Sequence, residues 1–96
     1  MKYGFHPEAE AEFHQAIDYY EGCEPGLGYD FALEVHATID NIHSFPSAWA
    51  ALEDDIRRCQ IRRFPYGIIY SLHGDFIFIL AVMHLHRDPE GWKDRG

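Results

Sequence analysis

Two short stretches hold the residues best suited to chemistry: residues 56–64, IRRCQIRRF, and residues 83–89, MHLHRDP. If the first is extended, its side chains alternate faces, so Arg58, Gln60 and Arg62 share one and Arg57, Cys59, Ile61 and Arg63 the other. Turning Cys59 and Ile61 to a core leaves Arg58 and Arg62 on the open face, about 13 Å apart at ~3.3 Å per residue. Two guanidinium groups at that spacing suit two phosphates or two carboxylates, held by charge-assisted hydrogen bonds. The plainer alternative is the ordinary solvation of an exposed sheet face. In the second stretch, His84 and His86 point to one side and Leu85 and Arg87 to the other. Imidazole titrates near neutrality and can act as a general acid or base. Its alternative role is a hydrogen bond at a strand terminus. Tyr66 and Tyr70 read as packing residues whose hydroxyls reach an edge. The candidate site is therefore Arg58, Arg62, His84, His86 and Arg87, with Tyr70 as a secondary member. The tail containing Trp92 and Arg95 is next in line.

Other chemistries find little support. A metal needs three or four ligands, and the nearest third histidine, His73, falls on a turn at the far end of the strand that carries His84. No metal and no cofactor are expected, since the sequence has no GxGxxG, Walker, HExxH or GxSxG pattern. Cys23 and Cys59 have no metal-like spacing and are expected to be reduced. Cys59 follows two arginines, but burial is the expected fate of its thiol.

Charge is segregated along the chain. The 96 residues have a net charge of −8, yet residues 1–55 hold one base and twelve acids, and residues 56–96 hold seven bases and four acids. The acids suit solvated helix faces, while the later arginines mark a place for an anionic partner. A hydrophobic content of 47% supports a packed core, and one domain over residues 1–96 is expected. No apolar run approaches the ~18 residues of a membrane span. The acidic start lacks a signal-peptide pattern, so the expected location is cytoplasmic.

The elements that must position these residues follow from periodicity. Residues 2–5 suit a short strand. Pro7 followed by Glu8, Glu10 and Glu12 marks a helix start, and Ala9, Phe13, Ala16, Ile17 and Tyr20 form one apolar stripe over 7–22. After the turn at EPGLG, the stripe Phe31, Val35, Thr38, Ile39 and Ile42 predicts a second helix over 28–44, ending before Pro46. So short a connection makes the pair an antiparallel hairpin. Residues 46–55 read as a connection with at most one helical turn. Strands are expected at 56–64, 67–73 and 75–86, with a hairpin turn at His73-Gly74-Asp75. The fold class is α+β in two layers: a helical hairpin on a mainly antiparallel sheet, in the order β-α-α-β-β-β.

In sequence order, PEAEAEFHQAIDYYE, PGLGYDF, IRRCQIRRFPYGIIY and FIFILAVMHLHRDPEGW resemble the RelE/ParE superfamily of toxins from bacterial type II toxin–antitoxin systems, also described as plasmid stabilisation proteins. The resemblance spans about residues 3–92 and implies a sheet covered by a helical hairpin. It also implies a cognate antitoxin partner. RelE-like members are implied to cut mRNA on the ribosome, and ParE-like members to inhibit DNA gyrase. The PGLG and FPY pieces are more ParE-like. Gly67 stands where ribonuclease members tend to carry a basic residue, and the acidity suits a ribosome's phosphate field poorly. The expected function is thus a ParE-like toxin acting on a target such as DNA gyrase. The alternatives are an mRNA endonuclease, in which arginines bind the scissile phosphate and His84 or His86 moves protons, and a degenerate, non-toxic member of the family.

Overall fold

Pro7 opens the first helix because its fixed φ suits the first helical position and its missing N–H costs nothing there. His6 caps that helix, its Nδ1 accepting the Glu8 N–H at 3.1 Å. The protein is described here by a computed structural model covering residues 2–53, 55–86 and 92–95. Within these residues the order is β1 (Lys2–Phe5), α1 (Pro7–Cys23), α2 (Leu27–Ser44), β2 (Ala50–Glu53), β3 (Ile56–Gln60), β4 (Tyr66–His73) and β5 (Phe76–His84), then a 3-10 turn at Lys93–Arg95.

The turn between the helices needs its two glycines for different reasons. Gly26 has φ of 89°, a left-handed conformation that side chains disfavour. Gly28 permits close approach: a Cβ there would sit 2.6 Å from the Ile17 carbonyl oxygen. The Glu21 carboxylate completes the turn by accepting the N–H groups of Gly26 and Gly28, at 3.0 and 3.1 Å. These amides at the start of α2 have no partner within the helix, so the carboxylate satisfies them.

The strands form one five-stranded sheet in the order β1-β5-β4-β3-β2. β1 runs parallel to β5, and the other neighbours are antiparallel. The two-layer α+β expectation holds, with one strand more than expected. Residues 50–53, expected as part of a connection, form edge strand β2, paired to β3 through Ala50–Arg58 and Ala51–Arg57. AALE carries a weak strand signal, and all four residues are exposed, so cross-strand pairing makes this element rather than propensity. The strand expected over 56–64 also ends early, at Gln60. The chain bends through 62–65, with Arg63 in the left-handed region at φ 72°. Phe64 can then turn back into the core, where its ring meets Phe31 and Tyr20 at 5.1 and 4.8 Å.

The apolar stripes behave as expected. Phe13, Phe31, Val35, Ile39 and Ile42 are buried beneath Ile68, Tyr70, Ile77 and Ile79, with Ile17 and Tyr20 packed partly buried at the margin. A second cluster of Ile69, Leu80, Ala81 and Trp92 is also buried. A register shift separates them: Tyr70 pairs with Ile79 but Ile69 with Ala81, so Leu80 is the extra residue of a β-bulge. Ile77 and Ile79 are buried under the helices, whereas Ala81 is buried in this second cluster.

The tail is fastened where the bulge disturbs β5. The Arg95 guanidinium forms a two-pronged pair with Glu12 at 2.8 and 2.9 Å and donates to the Leu80 carbonyl at 3.1 Å. The same Glu12 carboxylate accepts the Val82 N–H at 3.1 Å. The side chain of Arg95 is only 12% exposed. Arg95 is thus tied into the fold, and Glu12 holds its guanidinium pKa above its ordinary value.

The hairpin turn gives a direct test. Gly28→Ala must push α1 from α2, because the contacted atom is backbone and cannot rotate away. The expected cost is about 1–3 kcal/mol, read as a thermal midpoint lowered by roughly 5 °C or more. An unchanged midpoint would show that the hairpin absorbs the extra methyl.

Candidate functional site

On the sheet face away from the helical hairpin, the Arg58 stem lies across Gly67. A Cβ at Gly67 would meet Arg58 Cγ and Cδ at 3.4 Å and Leu85 Cδ2 at 3.3 Å, so the missing side chain makes room for the arginine. Around it runs a groove of about 190 Å³, with Ile69, Met83, Leu85 and Trp92 among its apolar lining. Leu52, His84 and the Glu53–Lys93 ion pair, 3.4 Å long, complete the lining. Arg58 is exposed, and no described residue gives its guanidinium a hydrogen bond or ion pair. Among the described residues the groove therefore offers one cation without a partner beside apolar surface, which suits a carboxylate or phosphate carried on an apolar body.

The other basic residues of the same stretch are used differently. Arg57 donates to the Trp49 carbonyl at 2.8 Å and holds the loop before β2. Arg63 pairs with Asp30 and Glu34 on α2 at 3.8 and 3.6 Å. Arg62 is exposed in the bend, in a separate depression that shares Leu85 with the Arg58 groove. The even alternation expected of Arg58 and Arg62 stops with β3, so the two are not successive residues on one strand face.

Past the bulge, the alternation of β5 is inverted. Val82 belongs to the cluster under the helices and Met83 packs on the opposite one. His84 borders the Arg58 groove, but its ring packs edge-on against Tyr66, with centroids 5.3 Å apart. Tyr66 itself packs against the helix-side core. His84 Nδ1 accepts the His86 N–H at 3.1 Å, so that nitrogen carries a lone pair, and the two rings lie 5.3 Å apart. The two histidine rings therefore sit together, with His84 between the Arg58 groove and Tyr66.

Tyr70 is not brought to the groove. It is fully buried, its hydroxyl donates to the Pro46 carbonyl at 2.8 Å, and burial pushes its pKa up to about 12. Cys59 is also buried, its thiol pushed up to about 11 by desolvation. Arg87 lies outside the described residues. Among the described residues, no group of three or more His, Cys, Asp or Glu is placed to hold a metal ion. Sequence reasoning missed the contribution of Leu52, Glu53 and Lys93 to the groove. The overlooked signal was the edge strand β2, which brings the first two beside β3.

Comparison with known proteins bears on family and fold. The family model for the ParE toxin of the type II toxin–antitoxin system parDE matches residues 3–89. A chain in the solved structure of a chromosomal ParDE toxin–antitoxin system from P. aeruginosa has a similar fold, with a TM-score of 0.74 at 16% identity. That match covers 88% of this chain and 95% of the other. No curated protein matches in sequence.

The buried thiol and phenol make stability sensitive to alkali. Their ordinary values are 9.0 and 10.0, and both rise on folding, so the native state holds its protons more tightly than the unfolded chain. The stabilisation is complete below the unfolded values and is lost as pH rises through the folded ones. Thermal midpoints should fall between roughly pH 9 and pH 12, and Tyr70→Phe should flatten the upper part of that fall. A Tyr70→Phe profile that matched the unaltered protein would remove the phenol from this account.

Proposed function

The chain belongs to the ParE toxin family and is the toxin of a type II toxin–antitoxin system; from that premise we propose that it acts in the cytoplasm by binding an essential protein target such as DNA gyrase, without cleaving RNA. The family implies a cognate antitoxin as its partner.

One observation carries the reading: Arg58 is presented bare beside an apolar groove, while the His84 ring packs edge-on against Tyr66 and its Nδ1 already accepts the His86 N–H. Cleavage of a phosphodiester needs a base within about 2.6–3.2 Å of the attacking hydroxyl and cations on the same reacting phosphate. His84 borders the groove of Arg58, but its ring packs on Tyr66 and its Nδ1 is taken by the His86 N–H, so that nitrogen is not presented to a phosphate held there. Binding needs no such convergence. An arginine beside Met83, Ile69 and Leu52 can pair with a carboxylate while the apolar lining covers a neighbouring side chain. The net charge of −8 also opposes approach to a polyphosphate surface.

Substitution separates binding from cleavage. With the chain induced alone, His84→Gln plus His86→Gln should leave growth arrest within about threefold, whereas a general base would cost ~100-fold or more. Arg58→Ala should weaken arrest about tenfold or more, in the range of a lost interfacial arginine. Total mRNA should persist while DNA replication fails. Rapid loss of mRNA, abolished by the histidine changes, would replace this reading with the nuclease.

A further inference from the structure

The room in the Arg58 groove limits what can fill it. Its volume is about 190 Å³. Pockets that hold whole small-molecule ligands run to roughly 300–1,000 Å³, whereas an apolar cavity of about 150 Å³ takes one benzene ring. The groove is therefore sized for a single side chain. Its apolar wall is formed by Leu52, Ile69, Met83, Leu85 and Trp92. A thioether and an indole among these residues suit an aromatic ring, through sulfur–ring and edge-to-face contacts.

Charge sets what accompanies the ring. The charged residues described in the lining are Arg58, Lys93 and Glu53, two cations and one anion, which leaves a single excess positive charge. Lys93 pairs with Glu53 at 3.4 Å, and no described residue pairs with Arg58. Arg62 lies in the separate depression and adds no second cation here. One carboxylate at Arg58 therefore neutralises the groove. A phosphate monoester carries about −1.5 to −2 near neutral pH. It would leave excess negative charge beside Glu53, in a chain whose net charge is already −8. Arg58 itself lines the groove, with its stem over Gly67, so the carboxylate and the ring must come from neighbouring residues.

We propose that the groove takes one aromatic side chain of the protein target together with an adjacent carboxylate, and that Glu53 makes it select a carboxylate over a phosphate. This rests on the reading of Arg58 as the target-binding cation and adds to it the chemistry of the anchor and a specificity residue.

The test uses the full chain and four blocked dipeptides: acetyl-Glu-Phe-amide, acetyl-Gln-Phe-amide, acetyl-Glu-Ala-amide and acetyl-phosphoserine-Phe-amide. Binding is read near neutral pH from the NMR shifts of the Gly67, Met83 and Leu85 amides. The Glu-Phe peptide should bind about tenfold more tightly than the Gln-Phe or Glu-Ala peptide, the scale of one charge-assisted contact or one buried ring. The phosphoserine peptide should bind roughly threefold or more weakly than Glu-Phe. Arg58→Gln should erase the preference for Glu over Gln. Glu53→Gln should bring phosphoserine level with Glu or above it. Both positions are exposed, so thermal stability should be kept. Equal binding of Glu-Phe and Gln-Phe, phosphoserine matching Glu in the unaltered chain, a preference unmoved by Glu53→Gln, or no shift with any peptide would each overturn the proposal. Growth arrest separates it from the reading beneath it. Arrest weakened by Arg58→Ala, with peptides that show no preference, keeps the target-binding role and discards this anchor. Peptides that discriminate, with arrest independent of Arg58, keep the selectivity of the groove and discard its role in target binding.

Discussion

The pairing of Glu12 with Arg95 at the bulge of β5 is the constraint on which the other features turn. A bulge leaves backbone groups of one strand without ladder partners, and β1 is too short to cover them. Glu12 accepts from Val82 and Arg95 donates to Leu80, so two side chains do what a neighbouring strand would do elsewhere. The ions also satisfy each other, which is what makes a charge tolerable at 12% exposure. One contact thereby joins α1, β5 and the end of the chain.

The groove of Arg58 follows from that arrangement. The extra residue in β5 inverts its alternation, so Val82 enters the core under the helices and Met83 the opposite cluster. Met83 thus becomes lining beside Arg58, while the His84 ring moves to Tyr66. Fixing Arg95 also places Trp92, 3% exposed, over Ile69, Leu80 and Ala81. The sheet face opposite the helices is therefore partly roofed, and what stays open is a groove that holds the Arg58 guanidinium.

The bend after β3 makes a second, smaller commitment. Arg63 takes a left-handed conformation, which costs a residue with a Cβ roughly 1–2 kcal/mol. Its guanidinium is 5.6 Å above the Phe64 ring and reaches Asp30 and Glu34 on α2. Those contacts and the burial of Phe64 offset the strain. The bend also takes Arg62 out of the strand, which leaves Arg58 as the arginine in the groove.

Much of this protein could be read directly from the order of its residues. Both helices were legible because 3.6-residue stripes such as Phe31, Val35, Ile39 and Ile42 record burial locally. The glycine turn was legible because few residues tolerate such backbone, and the family was legible because its motifs keep their order. Arg58 stood out among the few lysines and arginines of an acidic chain, and His84 and His86 by their spacing at the end of a strand. Other features depended on contacts distant in sequence. β2 exists because β3 lies beside it, and its own four residues barely ask for a strand. The bulge at Leu80 cannot be read from FIFILAVMH, since every residue there is apolar or able to be buried on either face. The direction of His84 depends on that single inserted residue, and the role of Arg95 on a carboxylate 83 positions earlier. Period and composition are local properties of a chain, whereas register and ion pairing across a sheet are set only when distant segments meet.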